Sequence, residues 1–397
     1  MLAANEAAAL VLERTPVLGG EEVSLADAAG RVAAEDLVAP RGLPAFPASA
    51  VDGYAIRSAD GGGRLRVAGE SAAGRPFTGA LVPGSAARIL TGGILPEGAD
   101  TVVMVEEVEQ LGDHVVVPER FGAGRNFHPS GSDLAAGDVV VRGGRPLGAA
   151  ELGLAAALGV DRLRVHRRPR VALMSTGDEL VEVGRTPGPG QITDSNRWAL
   201  LAALREVGAE VRLLGIAPDR PEPLRELVTG ALEASDVLVT SGGVSVGTHD
   251  LVKPLLESLG EVHIGRVKLK PGKPFTFATV GDGKLAFGLP GFPVSSLVTF
   301  EVFVRPALRK MQGHDRPQRP QLPVRLDYDA LATGDRTEYQ RVILRREGNE
   351  LVAMTTGSQS SSRLMSLLGA QALVRIPPGG EGYPAGTVVE ALILELP

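Results

Sequence analysis

The sequence contains no cysteine among its 397 residues, which excludes disulfides, thiolate metal sites and a cysteine nucleophile. Its six histidines are scattered and give no H-x-x-x-H spacing for zinc. Any metal is therefore expected to be a hard, oxygen-liganded ion such as Mg²⁺. No apolar run approaches about 18 residues, so no membrane-spanning helix is expected. The first residues carry Glu6 and Glu13 and lack the basic segment of a signal peptide, which predicts a cytoplasmic protein.

The charge and composition indicate a globular protein with several domains. The formal net charge of -6 argues against a nucleic-acid-binding surface. A hydrophobic content of 44% is sufficient for real cores, and a chain of this length is expected to divide into about two to four domains. The 51 glycines and 29 prolines are spread among patterned segments, so they indicate turns and not low complexity.

The pattern of apolar residues predicts three kinds of segment. Strands and helices alternate from 171 to 310, which predicts a parallel, doubly wound sheet. Short strands and glycine turns over 65–117 predict a small all-β domain, and the alternation over 324–396 predicts another. Near the N-terminus we expect a helix over 6–14 capped by Asn5, a second helix over 25–34, and later a solvated basic linker over 162–170.

The stretch from 236 to 250 carries the most specific chemistry. A short run of aliphatic and β-branched residues over 237–240 opens directly into Ser241, Gly242 and Gly243, and Ser245 and Asp250 follow. A strand that passes through glycines into a helix start is how α/β proteins hold phosphate-like anions. The alternative is a tight turn in which the glycines serve steric needs alone.

Two other predicted strands end in junctions of the same type. In open α/β sheets ligands bind at the carboxyl ends of the strands, so all three junctions are expected to meet there. The residues of these two junctions are Ser175, Thr176, Gly177, Asp178 and Glu179 after the first strand, and Pro290, Gly291, Pro293 and Ser295 before the last long helix.

Four carboxylates are expected at this edge of the sheet, namely Asp178, Glu179, Asp219 and Asp250. Together with an anion-binding loop they would repel one another, and Mg²⁺ bound by carboxylates and phosphate oxygens is the ordinary solution. Alternatively some of them are helix N-caps. Lys270 and Lys273 flank a Pro-Gly turn and suit an oxyanion as point charges, although ordinary surface lysines would look the same.

Some motifs permit more than one interpretation. The segment 243–247 matches the G-x-S-x-G nucleophile elbow of hydrolases, but Ser245 lies five residues past the strand end at Thr240, which disfavours hydrolysis. Asp52 beside Gly53 indicates either a turn or an exposed carboxylate. Thr91 stands at a predicted strand end before two glycines, and Asp133 lies in another turn.

Taken together, the chain closely resembles the MoeA family of molybdenum insertases, which also includes the E domain of gephyrin. The motifs that carry the resemblance span nearly the full length in family order. They are Asp52-Gly-Tyr-Ala, Thr91-Gly-Gly, Ser175-Thr-Gly-Asp-Glu-Leu, Ser241-Gly-Gly-Val-Ser-Val-Gly, Lys270-Pro-Gly-Lys-Pro, Leu289-Pro-Gly-x-Pro-Val-Ser and Thr356-Gly-Ser-Gln-Ser.

The resemblance implies a multidomain α/β protein that forms a homodimer. Its expected parts are an elongated N-terminal α+β domain in two segments (1–45 and 140–170), a small all-β domain (46–139), a central doubly wound parallel-sheet domain of the molybdopterin-binding type (171–315) and a C-terminal β-barrel domain (320–397).

The resemblance further implies that molybdate is inserted into adenylylated molybdopterin and that AMP is released with Mg²⁺. Molybdate is expected near Lys270, Lys273, Ser295, Arg341 and Ser361. The small β domain of the other subunit is expected to complete the site with Asp52, Thr91 and Asp133. The acidic residues Glu179, Asp219 and Asp250 join these three as expected catalytic groups, and the expected metal ligands are Asp178, Asp219 and Asp250. Other proteins of molybdenum cofactor biosynthesis are possible partners.

Three positions depart from the family pattern. Phe292 stands where asparagine is common, so a hydrogen bond from an amide at that position is lost. Gly93 stands where alanine is common, and Ser132, beside Asp133, where glutamate is common.

Other functions are also compatible with this pattern. The chain could be a tungstate insertase, since tungstate and molybdate are nearly isosteric. It could be a non-catalytic dimeric scaffold, although the retained carboxylates and lysines argue against that. Adenylyltransferases of molybdopterin share the Ser-Gly-Gly domain but usually lack the Asp-Gly-Tyr-Ala and C-terminal β modules found here.

Overall fold

The computed structural model describes residues 1–243, 251–331 and 334–397. These residues form two compact units, one of 1–21, 144–146 and 164–397 and the other of 22–143 and 147–163. A π-helical turn, Phe300–Val304, joins the last two helices into one run. The α-helices are α1 (Ala4–Arg14), α2 (Leu25–Ala28), α3 (Ala149–Ala157), α4 (Asn196–Glu206), α5 (Pro221–Ala234), α6 (Val252–Leu259), α7 (Pro293–Thr299) and α8 (Arg305–Met311).

The described strands range from 2 to 11 residues, and short 3₁₀ turns lie at Ser58–Asp60, Val105–Glu107 and Leu364–Leu367. The strands are β1 (Leu2–Ala3), β2 (Gly20–Ser24), β3 (Leu37–Val38), β4 (Ala48–Ser49), β5 (Gly53–Ile56), β6 (Arg64–Ser71), β7 (Ser85–Ile89), β8 (Thr101–Met104), β9 (Glu109–Leu111), β10 (His114–Val116), β11 (Phe127–His128), β12 (Val139–Val141), β13 (Arg162–His166), β14 (Arg170–Thr176), β15 (Leu180–Val181), β16 (Ile192–Thr193), β17 (Glu210–Ala217), β18 (Val237–Ser241), β19 (Gly260–Ile264), β20 (Val267–Lys270), β21 (Thr276–Val280), β22 (Lys284–Leu289), β23 (Gln321–Leu326), β24 (Ala330–Leu331), β25 (Thr337–Glu347), β26 (Glu350–Thr355), β27 (Ala372–Ile376), β28 (Gly382–Tyr383) and β29 (Val388–Ile393).

The central sheet of the first unit has the strand order β17-β14-β18-β22-β21-β19. The first four strands are parallel, whereas β21 and β19 are antiparallel additions at one edge. The doubly wound parallel sheet predicted from the sequence is therefore confirmed for its four-stranded core. The chain runs from β14 outward to β17 and then returns past β14 to β18. This reversal is a topological switch point, and it lies between β14 and β18.

Both faces of this sheet are covered by helices, as the alternation of side chains along a strand requires. Val171 and Leu173 of β14 belong to a core that includes residues of α1, α4, α7 and α8. Ala172 and Met174 belong to a second core that includes residues of α5 and α6. A parallel strand enclosed in this way consists of a continuous apolar run, which is how 171–174 reads in the sequence.

The C-terminal part of the first unit is a closed five-stranded barrel. Strands β25, β26, β23, β29 and β27 follow one another around it, and β27 pairs with β25 to close the ring. Because the ring is closed, each of these five strands pairs with a neighbour on both sides. Strand β20 adds to β25 outside the ring and pairs in turn with β1. The predicted C-terminal β-barrel is confirmed, and β20, which carries Lys270, pairs with its strand β25.

The second unit contains a six-stranded sheet of order β8-β5-β7-β6-β10-β9. Its core includes the buried residues Tyr54, Ile56 and Val103. Gly53 begins β5 and cannot be replaced by a larger residue, because an added Cβ would lie 2.0 Å from the carbonyl oxygen of Val103. The Asp-Gly pair is thus the start of a strand, which leaves Asp52 exposed just before it.

Several local predictions differ from the structure. Helix α1 begins at Ala4, so Asn5 lies inside it, and Glu6 accepts a hydrogen bond from the Ala3 N–H in place of the predicted cap. The predicted helix over 25–34 ends already at Ala28. The basic segment 162–170 is β13 followed by a short connection, and Arg167 within it forms an ion pair with Asp236. The division into four domains is not tested by this structure and stays a prediction.

None of the helices in the described ranges combines the length and the apolar character needed to cross a membrane.

We expect the stability of the first unit to depend on pH because of His314. Burial, together with Arg309 and Arg305, lowers the pKa of His314 to about 4. Arg309 also donates to its Nδ1 at 3.2 Å. Facing groups include Asp315, which opposes this shift, and His166, which adds to it. The unfolded chain binds a proton near pH 6.5 and the folded chain does not, so stability should fall as the pH drops from about 6.5 to 4.

The variant His314→Gln should show a flatter dependence over the same range. Since the ring is partly solvated, we expect a difference of at most about 1 kcal/mol per pH unit. Urea unfolding of both proteins at several pH values between 7 and 4 measures this difference. Parallel curves for the two proteins would show that His314 does not carry the effect.

Candidate active site

The three predicted junctions lie side by side at the carboxyl ends of β14, β18 and β22. Ser175 is in register with Ser241, and Ser241 is in register with Leu289. The N–H of Gly242 donates to the carbonyl of Leu289 at 3.0 Å, which fixes the second junction against the third. The prediction that these segments meet is confirmed, and they meet at the switch point of the sheet.

Gly242 and Gly243 are required by the backbone at this point. Their φ angles are +90° and +67°, values that residues other than glycine rarely adopt. An added Cβ would lie 2.4 Å from the carbonyl oxygen of Thr176 at Gly242 and 2.7 Å from Thr176 Oγ1 at Gly243. The steric interpretation of these glycines is therefore correct, and it does not exclude a bound anion at the same junction.

Buried hydroxyl groups line the ends of β14 and β18. In the described parts of the chain Ser175 Oγ, Thr176 Oγ1 and Thr240 Oγ1 are buried without a hydrogen-bond partner. Leaving such a group unsatisfied costs about 1–3 kcal/mol. These strand ends can therefore bond a polar ligand or water.

A cleft of about 990 Å³ opens beside these junctions. It brings together eight of the site residues predicted from the sequence, and its described lining contains three basic side chains against the single carboxylate of Glu179. The predicted residues in the lining are Glu179, Lys270, Lys273, Pro290, Gly291, Pro293, Ser295 and Ser361; the others are Ile192, Thr193, Ser195, Pro271, Gly272, Pro274, Phe292, Arg336, Gln359, Ser360 and Ser362.

Asn196 connects two of the junctions, a role that the sequence analysis missed. Its Nδ2 donates to Ser241 Oγ at 2.8 Å and to the carbonyl of Gly291 at 2.7 Å. The N-cap residue of α4, Ser195, makes no side-chain cap bond, whereas Asp194 Oδ1 accepts from the N–H of Arg197 at 3.2 Å. The long-range contacts of Asn196 have no local signal in the sequence.

Arg341 is fully buried. It lies beneath the segment 358–362, which contains four serines and is called the serine loop below. Its guanidinium donates to the carbonyls of Gln359 at 3.3 Å and Ser360 at 3.2 Å, and its Nε donates to Ser366 Oγ at 3.1 Å. Burial lowers its pKa. The described cleft lining therefore contains Ser361 but not Arg341 itself.

In the second unit, Asp52 and Thr91 are brought together as predicted. Asp52 Oδ1 accepts hydrogen bonds from the N–H of Thr91 at 2.7 Å and from its Oγ1 at 2.8 Å. These two bonds, with a smaller contribution from Arg88, lower the pKa of Asp52. The carboxylate is exposed and ionised near neutral pH.

Asp133 lies in a different pocket of the same unit. This pocket has a volume of about 540 Å³ and is lined by Asp133 together with Leu43, Pro44, His128 and Ser132. The N–H of Asp133 donates to the carbonyl of Leu43 at 3.0 Å, which holds the turn. Among the described contacts, none joins Asp133 to Asp52 or Thr91.

Two of the three predicted metal ligands fall within the described residues. Asp178 is exposed after β14 and Asp219 is half-buried after the neighbouring strand β17. Asp250 and Ser245 lie outside the described residues. Within the described ranges no three acidic or histidine side chains gather into a metal-binding group. The donors are nevertheless carboxylates at adjacent strand ends, which are the ligands Mg²⁺ prefers.

Family models match three successive segments of this chain. The MoeA N-terminal region (domains I and II) matches residues 2–159, a probable molybdopterin binding domain matches 172–310, and the MoeA C-terminal region (domain IV) matches 323–394.

Known proteins resemble the chain over nearly its whole length. It is 37% identical over 400 residues to molybdopterin molybdenumtransferase 1 of Mycobacterium tuberculosis, covering 94% of each chain. It is 36% identical over 447 residues to gephyrin of Dictyostelium discoideum, covering 99% of this chain but 62% of that protein. The crystal structure of a molybdopterin biosynthesis MoeA protein from Pyrococcus horikoshii is similar with a TM-score of 0.87, at 34% identity and covering 99% of both chains.

Proposed function

This chain belongs to the MoeA family of molybdopterin molybdenumtransferases, and from this premise we propose that it inserts molybdate into adenylylated molybdopterin and releases AMP. It is a transferase of molybdenum cofactor biosynthesis. We propose that it acts in the cytoplasm and interacts there with other proteins of the same pathway.

The composition of the cleft carries this proposal. Lys270 and Lys273 face the same space as the hydroxyl-bearing residues Ser295 and Ser361. Molybdate is a tetrahedral dianion, and ammonium and hydroxyl groups are the donors that suit such an oxyanion. The excess of basic groups in the described lining would also raise the local concentration of an anionic substrate.

The ends of β14 and β18 supply the second half of the proposed site. The phosphate groups of the substrate would bind at Ser241, Gly242 and Gly243, where the strand end opens through two glycines with positive φ. Ser175, Thr176 and Gly177, at the end of the adjacent strand β14, would contribute to the same binding site. We also assign Ser245 to this group from its place in the sequence.

We propose Asp178, Asp219 and Asp250 as ligands for Mg²⁺. When bound there, the ion would neutralise charge on the phosphate groups. The exposure of Asp178 and its position at the end of a strand next to that of Asp219 support this assignment.

We further propose that the protein acts as a homodimer in which the second subunit completes each site. Asp52, Thr91 and Asp133 would come from that subunit. Because the pKa of Asp52 is lowered, it is a weak base at neutral pH. Its role is therefore to orient water or bind a cation and not to accept a proton. Glu179, an exposed carboxylate in the cleft lining, would also orient water or bind a cation, and it would belong to the subunit that forms the cleft.

The direct test is a reconstituted reaction. The purified protein is mixed with adenylylated molybdopterin, Mg²⁺ and molybdate, and AMP is measured by chromatography. We expect AMP release that requires molybdate and yields a cofactor that activates a molybdenum-free apoenzyme. A parallel series with tungstate identifies the preferred oxyanion. No AMP release with either anion would contradict the proposal and favour a scaffold, whereas consumption of ATP with molybdopterin would indicate an adenylyltransferase.

A further inference from the structure

Glu338 is a buried carboxylate that the reaction outlined above does not use. It lies near the start of β25 and is 2% exposed. Burying a carboxylate is costly unless it is paired with a positive charge and hydrogen-bonded. Its ion-pair partner is Lys270, whose Nζ lies 3.3 Å from Glu338 Oε1.

The pairing of strands places this ion pair directly at the cleft. Strand β20 runs parallel to β25, and Lys270 is the register partner of Glu338. Lys270 lines the cleft and is partly exposed, whereas Glu338 lies behind it in the barrel. The barrel therefore holds one of the two lysines that face the proposed oxyanion position.

A chain of side chains fixes the carboxylate of Glu338 in turn. Gln340 Nε2 donates to Glu338 Oε2 at 3.3 Å. The Oε1 of the same amide accepts from the hydroxyl of Tyr328 at 2.7 Å, which sets the orientation of the amide. Burial and the charge of Glu338 raise the pKa of Tyr328, so the hydroxyl keeps its proton and remains a donor.

We propose that Glu338 is a positioning residue that holds the ammonium group of Lys270 for the incoming oxyanion. An ammonium group has three N–H donors, so the pair with Glu338 leaves donors for a ligand oxygen. Fixing the side chain beforehand removes part of the entropy cost of binding. Lys273 is a contrast, since in the described residues it forms no ion pair with a carboxylate and is exposed. The identity of the oxyanion as molybdate rests on the function proposed above.

The variant Glu338→Gln tests this role because it keeps the shape and removes the charge. We expect the KM for molybdate to rise by about 10-fold while kcat changes by less than about 3-fold, as loss of a binding interaction predicts. Glu338→Asp should recover part of the affinity. Glu347→Gln, which removes an exposed carboxylate from the same strand, is the matched control and should leave both constants unchanged.

A double-mutant cycle separates positioning from a general structural effect. In the background Lys270→Met, the change Glu338→Gln should no longer alter the KM for molybdate, since the two residues act through one contact. If Glu338→Gln fails to fold, the pair Lys270→Met/Glu338→Met tests the same point, because apolar replacement of a buried ion pair is often tolerated. It should then match Lys270→Met alone in its KM for molybdate.

Two outcomes would overturn the inference in distinguishable ways. An unchanged KM for molybdate in folded, active Glu338→Gln would remove the positioning role and leave the proposed function standing. An independent effect of Glu338→Gln in the Lys270→Met background would show that Glu338 acts by another route. Absence of molybdate-dependent AMP release in the unmodified protein would instead contradict the proposed function itself.

Discussion

Replacing Asp52 with alanine is expected to lower the rate of molybdate insertion by on the order of 10²–10³-fold, as loss of one preorganised electrostatic group typically does. The fold of the second unit should survive, because the carboxylate is exposed and its contacts are two hydrogen bonds from Thr91. The measurements are AMP release and the melting temperature on the same preparation. Asp113→Ala is the matched control: Asp113 is exposed in the same unit, and a hydrogen bond from its neighbour His114 lowers its pKa as well. This control should keep full activity.

Mixed dimers extend this prediction to the composition of the site. If Asp52 serves the cleft of the partner, an inactive Asp52→Ala chain and an inactive Lys273→Ala chain should complement each other. Each mixed dimer would contain one site with both residues intact, so random exchange should restore about a quarter of the activity in a two-fold symmetric assembly. Mixtures without any recovery, under conditions where exchange is shown, would place both residues in the site of a single chain.

The sequence predicted those features of the molecule that depend on local pattern. The apolar run over 171–174 and the glycines after 240 are short-range signals, and they correctly predicted the sheet and the strand ends. The junctions after β14, β18 and β22 were correctly expected to share one edge of the sheet. Parallel strands with their carboxyl ends at one edge make this inference possible without knowledge of the full fold.

Contacts between distant segments were not accessible from the sequence. Asn196 is the first residue of α4, and nothing near it in the sequence indicates that its amide bonds Ser241 and Gly291. Glu338 belongs to none of the recognised motifs, and it meets Lys270 through the pairing of β20 with β25. Alternation of polar and apolar residues predicts strands but not which strands become neighbours, so both contacts required the structure.

Phe292 stands where the family commonly has asparagine, and its exposure at the cleft decides what this difference changes. Its side chain is 59% exposed in the loop that precedes α7, at the lining of the cleft. An asparagine there could donate a hydrogen bond to the substrate, and phenylalanine cannot. Ile192, in the same lining, is also 57% exposed. The cleft thus presents apolar surface beside its lysines.

Replacing Arg341 with methionine is expected to destabilise the first unit by about 3–5 kcal/mol, the cost of breaking a buried charged network by removing one partner. The fully buried guanidinium bonds two carbonyls and a hydroxyl in the segment from Gln359 to Ser366. Methionine fills the space of the aliphatic stem but donates nothing, so these acceptors would be left buried and unpaired. Arg345→Met is the control, since Arg345 lies on the same strand with a side chain 54% exposed.

The same variants decide whether Arg341 positions the serine loop or touches the oxyanion directly. If it positions the loop, Arg341→Lys should keep the charge but lose the fork of donors, so stability and molybdate affinity should fall together. The affinity falls because Ser360, Ser361 and Ser362 line the cleft, and Arg341 holds this segment through the carbonyls of Gln359 and Ser360. Urea unfolding and the KM for molybdate are measured on each protein. A raised KM with unchanged stability in Arg341→Lys would indicate that Arg341 binds the oxyanion directly, as the family resemblance implies. It would contradict the positioning role.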